Sequence, residues 1–285
     1  MSVVSFVRSV IAYVELLRPI NGLIAFISVF LGAVFANGSF TSNTLIVAIS
    51  AFLVLSAGNA INDFCDYQID GINKPMRPIP SQRIQRQHAL IFSLILLLIG
   101  LLLGFFTGSI QAIVIVTIVS ITLFLYAVWL KKTPLIGNVV VGALTGVTFI
   151  AGGVTVRSMK GTIVPAAFAF LFTTAREIIK DIEDIEGDVA LGAGTIAVRW
   201  GKQVAALVAS VFMLALIFFS LVPYLLGLFS WIYLVMVTVG VDFVLIFLLV
   251  QLWRDTSKEN CAKIQQWMKL DIFVGLFTIY LGSFV

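Results

Sequence analysis

Eight polar residues, in two sets of four, carry the chemistry this sequence suggests. Asn59, Asp63, Asp66 and Asp70 stand at offsets 0, 4, 7 and 11, and Glu177, Asp181, Asp184 and Asp188 repeat those offsets. On a helix turning about 100° per residue, each set falls within roughly 60° and forms a stripe on one face. Asn62, at offset 3, is matched by Lys180, while Glu183 and Glu186 fall off the stripe and face away. Stacked carboxylates repel one another unless something positive lies among them. Mg²⁺ is the hard cation that takes such oxygen ligands and shares them with a substrate phosphate.

The elements that must hold these stripes are membrane helices. The chain is 60% apolar and 11% charged, with a mean hydropathy of +1.11, where a soluble domain carries roughly 25% charge. This composition excludes a soluble globular protein. It also argues against nucleic-acid binding despite a pI near 9.1, because the basic residues follow topology. Cys65 and Cys261 suggest no disulfide framework. No cleavable leader is expected, since the first apolar stretch is followed by many others.

The chain reads as all-α, a single transmembrane domain over residues 1–285. Ser5 to Leu17 suggests an amphipathic helix on the membrane surface, with Arg8 and Glu15 on its polar side. Nine apolar stretches follow, at about Ile20–Phe35, Leu45–Ile61, Ala89–Phe106, Ile110–Leu130, Leu135–Val156, Ile163–Thr174, Val204–Leu226, Trp231–Leu252 and Trp267–Val285. A spanning helix needs about 20 residues. The second and sixth stretches reach that length only by running on into the acidic stripes, which places the stripes at the membrane face. Of the 18 Lys and Arg residues, all but Arg157 and Lys160 fall on one side of this arrangement. The positive-inside rule then predicts nine spans, with the N-terminus and both stripes cytoplasmic and the C-terminus outside. The stripes end spans four helices apart, so an internal repeat is expected, with the stripes facing each other. Gly142 and Gly146 suggest close helix packing. Asp242, inside the eighth span, is either functional or hydrogen bonded to a neighbouring helix.

So much acid facing one cavity requires several positive charges, which two Mg²⁺ ions and nearby Lys and Arg would supply. A site that cationic attracts a polyanion, and a diphosphate fits. The surrounding membrane implies that the rest of the substrate is a lipid chain, hence a prenyl diphosphate. Mg²⁺ and basic side chains would then stabilise the charge that develops on the diphosphate as it departs from an allylic carbon. A pocket that excludes water would leave the cation to a bound acceptor.

These residues also carry a family resemblance. Asn62-Asp63-x-x-Asp66-x-x-x-Asp70 resembles the first motif of the UbiA superfamily of intramembrane prenyltransferases. Asp184-x-x-x-Asp188, followed by Gly192 and Thr195, resembles the second motif. Tyr126 with Lys131 and Lys132 resembles the tyrosine–lysine motif, with four residues between Tyr126 and Lys131 where three are usual. Leu17-Arg18-Pro19-Ile20-Asn21 resembles the entry to the first helix. The resemblance implies nine helices around a central cavity, a lateral opening to lipid and Mg²⁺ dependence. It implies metal ligation by Asn62, Asp66, Asp70, Asp184 and Asp188, with Asp63, Asp181 and Lys131 also catalytic. Substrate contacts are implied for Arg18, Asn21, Asn59, Asn62, Lys74, Arg77, Tyr126, Lys132, Glu177 and Lys180.

The run Asn73-Lys74-Pro75-Met76-Arg77-Pro78-Ile79-Pro80-Ser81 is similar to that of the archaeal digeranylgeranylglyceryl phosphate synthases. This implies geranylgeranyl diphosphate as donor and the hydroxyl of geranylgeranylglyceryl phosphate as acceptor. A phosphate-bearing acceptor would need further basic groups, for which Arg18, Lys131 and Lys132 are candidates. Alternatives are an aromatic acceptor, as in quinone, haem or chlorophyll pathways, and a cation-coupled transporter. The transporter reading is disfavoured because the stripes end helices and do not sit at the midplane.

Overall fold

The structure, a computed structural model, describes residues 3–282, and no strand occurs among them. Contacts divide the chain into two compact units. The first comprises residues 1–131, 148–160 and 186–192; the second comprises residues 132–147, 161–185 and 193–285.

The first unit opens with α1 (Val3–Leu17). Its Ala12 and Leu16 are buried against Ala60, Ile79, Ile84 and Ala89. Val7, Val10, Ile11 and Val14 form an exposed apolar stripe at helical spacing, as expected of a helix lying in the membrane interface. Helix α2 (Pro19–Asn37) stops at Gly38, whose left-handed φ of 66° lets its N–H bond to Val34 O. Helix α3 (Ser42–Cys65) starts in a capping box between Thr41 and Thr44. A short α4 (Tyr67–Asn73) follows, then α5 (Arg86–Phe106) and α6 (Ile110–Val128). Helix α3 is the centre of this unit and packs on α2, α5 and α6. Small residues let it do so: a Cβ on Gly100 would meet Val54 Cγ2 at 2.7 Å. The outer faces of α5 and α6 carry exposed Ile91, Leu94, Leu98, Ile118 and Ile121, a surface that suits lipid and not water.

A 3₁₀ turn (Leu130–Lys132) leads into α7 (Ile136–Thr155). The second unit holds α8 (Ile163–Glu183), which packs on the later helices over Lys202–Ser220 and Lys258–Gly282. The expected packing role of Gly142 and Gly146 holds. A Cβ on Gly142 would lie 2.2 Å from Thr174 Oγ1, and one on Gly146 would lie 2.7 Å from Ala166 O. After α8 come the short α9 (Ile185–Ala190) and α10 (Ile196–Trp200), then α11 (Lys202–Ser220) and α12 (Val222–Leu225). One continuous helix follows, made of α13 (Trp231–Met236), a π turn over Val237–Asp242 and α14 (Phe243–Arg254). Helix α15 (Lys258–Gly282) closes the described chain. Asp242 is buried, and Ser220 Oγ donates to its Oδ2 at 2.9 Å, the hydrogen-bonded outcome of the two expected. Tyr233 Oη donates to Ser220 O at 2.6 Å. Asp271 is buried on α15 with neither carboxyl oxygen hydrogen bonded.

Among the described residues, seven helical segments are long and apolar enough to cross a membrane: α2, α3, α5, α6, α7, Lys202–Leu225 and Trp231–Arg254. The other two expected spans correspond to α8 and α15. These helices run for 21 and 25 residues, but their charged ends set them apart from the seven. The last residues of the expected ninth span, 283–285, lie outside the described residues.

Candidate active site

The helix of the second expected span does run on into the first stripe, but it does not stay intact to Asp70. Helix α3 ends at Cys65, and Asp66 sits at φ −91° and ψ 7° before α4 begins. That bridge conformation turns the chain without ending it: Asp66 N–H still bonds Asn62 O, and Asp70 N–H bonds Asp66 O, both at 2.8 Å. Arg86 holds the outer side of the break. Its Nε donates to Phe64 O at 3.0 Å, and its guanidinium lies 4.3 Å from the ring centroids of both Phe64 and Tyr67.

Inside the break, each acid of the first stripe meets a basic residue brought from elsewhere. Asp63, 2% exposed, is ion-paired with Arg18 and approached by Arg77 Nη1 at 3.3 Å. Asp70, 4% exposed, accepts from Arg77 Nη1 through both oxygens at 2.6 Å. Asp66 is ion-paired with Lys131, whose Nζ also donates to Asn62 Oδ1 at 3.3 Å. Burial raises the Asp70 carboxyl above the ordinary carboxylate range, with the charge of Arg77 pulling it back down. Arg18 holds a left-handed backbone, φ 49° and ψ 62°, immediately before Pro19. Such a conformation costs roughly 1–2 kcal/mol in a non-glycine residue, and the ion pair to buried Asp63 fixes the side chain that pays for it. Asn59 Nδ2 is buried with no hydrogen-bond partner, leaving an amide donor unfilled on the same stripe.

The second stripe breaks at the same register. Helix α8 ends at Glu183, and Asp184 sits at φ −92° and ψ 6°, with its N–H on Lys180 O at 2.9 Å. Gly187 is the residue in this stretch at which a helix would most easily unwind. The break falls three residues earlier instead, because Gly187 lies within α9 and its N–H is held by Asn73 Oδ1 at 3.0 Å. Neither stripe is therefore one continuous helical face: Asp70 and Asp188 stand on the separate short helices α4 and α9. Glu177 accepts from Lys180 Nζ at 3.1 Å and from Arg176 Nη1 at 3.2 Å. Asp181 Oδ2 accepts from Asn138 Nδ2, on α7, at 3.0 Å. Asp188 is buried, Glu183 is half-buried and Glu186 is exposed, so Glu186 does face away as expected.

The remaining candidates are scattered more widely. Lys74 caps α4, its N–H on Asp70 O at 2.8 Å. Asn21 lies in the first turn of α2 and Tyr126 in the last turn of α6. The Lys132 side chain is exposed, while its carbonyl accepts Gly194 N–H at 2.9 Å. Four residues were given no site role by the sequence: Asn73, Asn138, Arg176 and Asp271. Asn138 left a signal, a lone amide within an apolar stretch; Arg176, beside Glu177, left another.

Among the described residues, no three His, Cys, Asp or Glu side chains gather closely enough to hold a metal ion. The donor set nonetheless suits a hard cation. Asn62 and Asp66 oxygens converge on one point of positive charge, here the Lys131 ammonium, and amide and carboxylate oxygens are what Mg²⁺ takes.

Residues 25–273 match the UbiA prenyltransferase family. The chain belongs to that family. Among curated UbiA relatives, the digeranylgeranylglyceryl phosphate synthase of Methanothermobacter thermautotrophicus is 37% identical over 95% of both chains. That of Methanobrevibacter smithii is 38% identical, over 95% of this chain and 98% of its own. A solved digeranylgeranylglyceryl phosphate synthase structure superposes with a TM-score of 0.74 at 33% identity, covering 96% of this chain and 98% of the other. The UbiA fold extends to a homologue from Archaeoglobus fulgidus bound to GPP and Mg²⁺. That homologue has a TM-score of 0.69 at 16% identity, covering 94% of this chain and 99% of the other. The protein is thus an all-helical, multi-pass membrane prenyltransferase.

Proposed function

We propose that this chain, acting as one catalytic domain, is a Mg²⁺-dependent geranylgeranyl transferase. It moves the geranylgeranyl group of geranylgeranyl diphosphate to the free hydroxyl of geranylgeranylglyceryl phosphate. The product is digeranylgeranylglyceryl phosphate, a precursor of archaeal ether lipids. The observation that carries this reading is the first stripe. Its amide and carboxylate oxygens end a membrane helix and are matched one by one to Arg18, Arg77 and Lys131. The activity named for the relatives supplies the two substrates.

In this reading Asn62, Asp66, Asp70, Asp184 and Asp188 are the Mg²⁺ ligands. When bound, Mg²⁺ neutralises the diphosphate and the charge that grows on it as it leaves. Lys131 and Arg77, already facing the acids, would bind diphosphate oxygens. Asn59 Nδ2 donates to the same group, and Asp63 keeps Arg18 and Arg77 oriented. The allylic C–O bond breaks and its electron pair leaves with the diphosphate. The acceptor oxygen then forms the new ether bond to that carbon and its hydroxyl proton is released. Arg18 and Lys132 serve the acceptor's phosphate. The stripes lie on the cytoplasmic side, where the basic residues collect.

The test is purified protein with labelled geranylgeranyl diphosphate and a panel of acceptors. Transfer to geranylgeranylglyceryl phosphate, weak transfer to the same ether without its phosphate and none to a hydroxybenzoate are expected. Arg18→Ala should raise the acceptor KM more than the donor KM. Efficient prenylation of the hydroxybenzoate, or equal use of the neutral ether, would overturn the acceptor assignment.

A further inference from the structure

We propose that Asn73 is a positioning residue that sets Asp188 by capping α9 from a distant part of the chain. The inference rests on the reading of Asp188 as a Mg²⁺ ligand. Helix α9 has six residues and follows the break at Asp184, and a helix that short does not hold itself together in isolation. The N–H of Gly187 belongs to its first turn, where no carbonyl of the same helix is available. Asn73, 114 residues earlier, supplies the acceptor: its Oδ1 takes the Gly187 N–H at 3.0 Å in a buried setting. An amide oxygen is among the best acceptors for a helix N-terminus.

A second observation shows how closely the two residues are fitted. A Cβ on Gly187 would lie 2.5 Å from Asn73 Nδ2 and 2.8 Å from Asn73 Cγ. The amide lies against the backbone of α9 in a space only glycine leaves open. Asn73 is also the last residue of α4, the helix that carries Asp70. One hydrogen bond therefore ties the short helix bearing the last acid of the first stripe to the short helix bearing the last acid of the second. Residues 186–192 belong to the first unit with Asn73. Asp188 is next in sequence to the capped residue and is itself buried, so its carboxylate goes where the cap puts α9.

The experiment uses the full chain in detergent as wild type, Asn73→Ala, Asn73→Asp and Gly187→Ala. Mn²⁺ binding is read by electron paramagnetic resonance with inorganic pyrophosphate present. The Mg²⁺ concentration for half-maximal transfer and kcat at saturating Mg²⁺ are read alongside. Loss of a group that orients a metal ligand costs roughly 10–100-fold in affinity. Asn73→Ala should weaken Mn²⁺ binding and raise the Mg²⁺ requirement by about tenfold, with most of kcat recovered at high Mg²⁺. Asn73→Asp keeps an oxygen in place and should stay within about threefold of wild type on both readings, well inside the range for losing such a group. Gly187→Ala should move both readings in the same direction as Asn73→Ala. If Asn73→Ala does not elute as a folded species, Asn73→Ser, which is polar but too short to reach, carries the same expectation. Unchanged Mn²⁺ binding in Asn73→Ala, or an Asp variant as poor as the Ala variant, overturns the positioning role alone. Absence of Mn²⁺ binding in wild type overturns the metal reading of the stripes as well.

Discussion

The two acidic stripes share their spacing and their break, yet the ion pairs at Asp63, Asp66 and Asp70 are built differently from those at Glu177. The backbone angles at Asp66 and Asp184 agree within a degree or so, −91° and 7° against −92° and 6°. The first stripe draws its cations from three separate elements: Arg18 before α2, Arg77 in the loop after α4 and Lys131 in the 3₁₀ turn. In the second stripe, the cations paired with Glu177, Arg176 and Lys180, flank it on α8 itself, and a neutral amide from α7 serves Asp181. The first stripe is thus a tertiary assembly, whereas the Glu177 pairs are largely local to one helix. The shared feature, an acid in the bridge region where the helix turns, is the one to expect of the chemistry. The unshared feature is how each protein segment stays folded around its acids.

The comparison can be broken by substitution. The largest effects should come at the two break residues. Asp66→Ala and Asp184→Ala should each lower kcat by roughly 10²-fold or more, the scale for losing one electrostatic stabiliser. Steady-state kinetics in one membrane preparation would check this; a break residue that can be lost without effect would end the equivalence of the stripes. Chelation is the companion measurement: transfer should vanish in EDTA and return with Mg²⁺. Undiminished turnover would mean that Arg and Lys alone suffice.

Stability should separate the stripes next. Arg77→Ala leaves two nearly buried carboxylates short of a partner and should destabilise the protein by about 3 kcal/mol, toward the lower end for a broken buried pair. Lys180→Ala takes one cation from buried Glu177, which keeps Arg176, and should cost less than Arg77→Ala. Thermal unfolding in detergent compares the two, and equal losses would remove the distinction between tertiary and local neutralisation. The smallest effect belongs to Glu186→Ala. Its exposed carboxylate lies two residues from Asp184, and activity should stay within a few-fold of wild type. A loss matching that of Asp184→Ala would mean that acidity matters there and position does not.

Much of the fold was legible because a membrane allows few solutions. Apolar stretches of spanning length, paired glycines at Gly142 and Gly146 and an amphipathic leading helix all follow from composition and period. The stripes were legible because α3 and α8 keep helical spacing through Asn59 to Cys65 and Glu177 to Glu183. The breaks were not. No glycine or proline marks Asp66 or Asp184, and the glycine nearest to Asp184, Gly187, is held by a side chain 114 residues away. Pairings such as Arg18 with Asp63 and Asn138 with Asp181 were hidden for the same reason: distance along the chain says nothing about which polar groups meet. Lys131 was found through family resemblance, not through spacing.

The buried acids of the last two helices bear on how the protein is made. An aspartate at the centre of a helix entering the bilayer costs roughly 2.5–3.5 kcal/mol on insertion scales. The segment carrying Asp242 emerges after α11, so Ser220, the hydroxyl that meets Asp242, is already in place to receive it. Helix α15 arrives after these, with Asp271 and with too much charge to count among the seven self-sufficient spans. Its entry therefore depends on the earlier helices against which it packs, α8, α13 and α14. The order of synthesis is the order in which polar groups find cover, and deletion of α11 should leave Asp242 without its hydroxyl partner and hinder membrane entry of the segments after it.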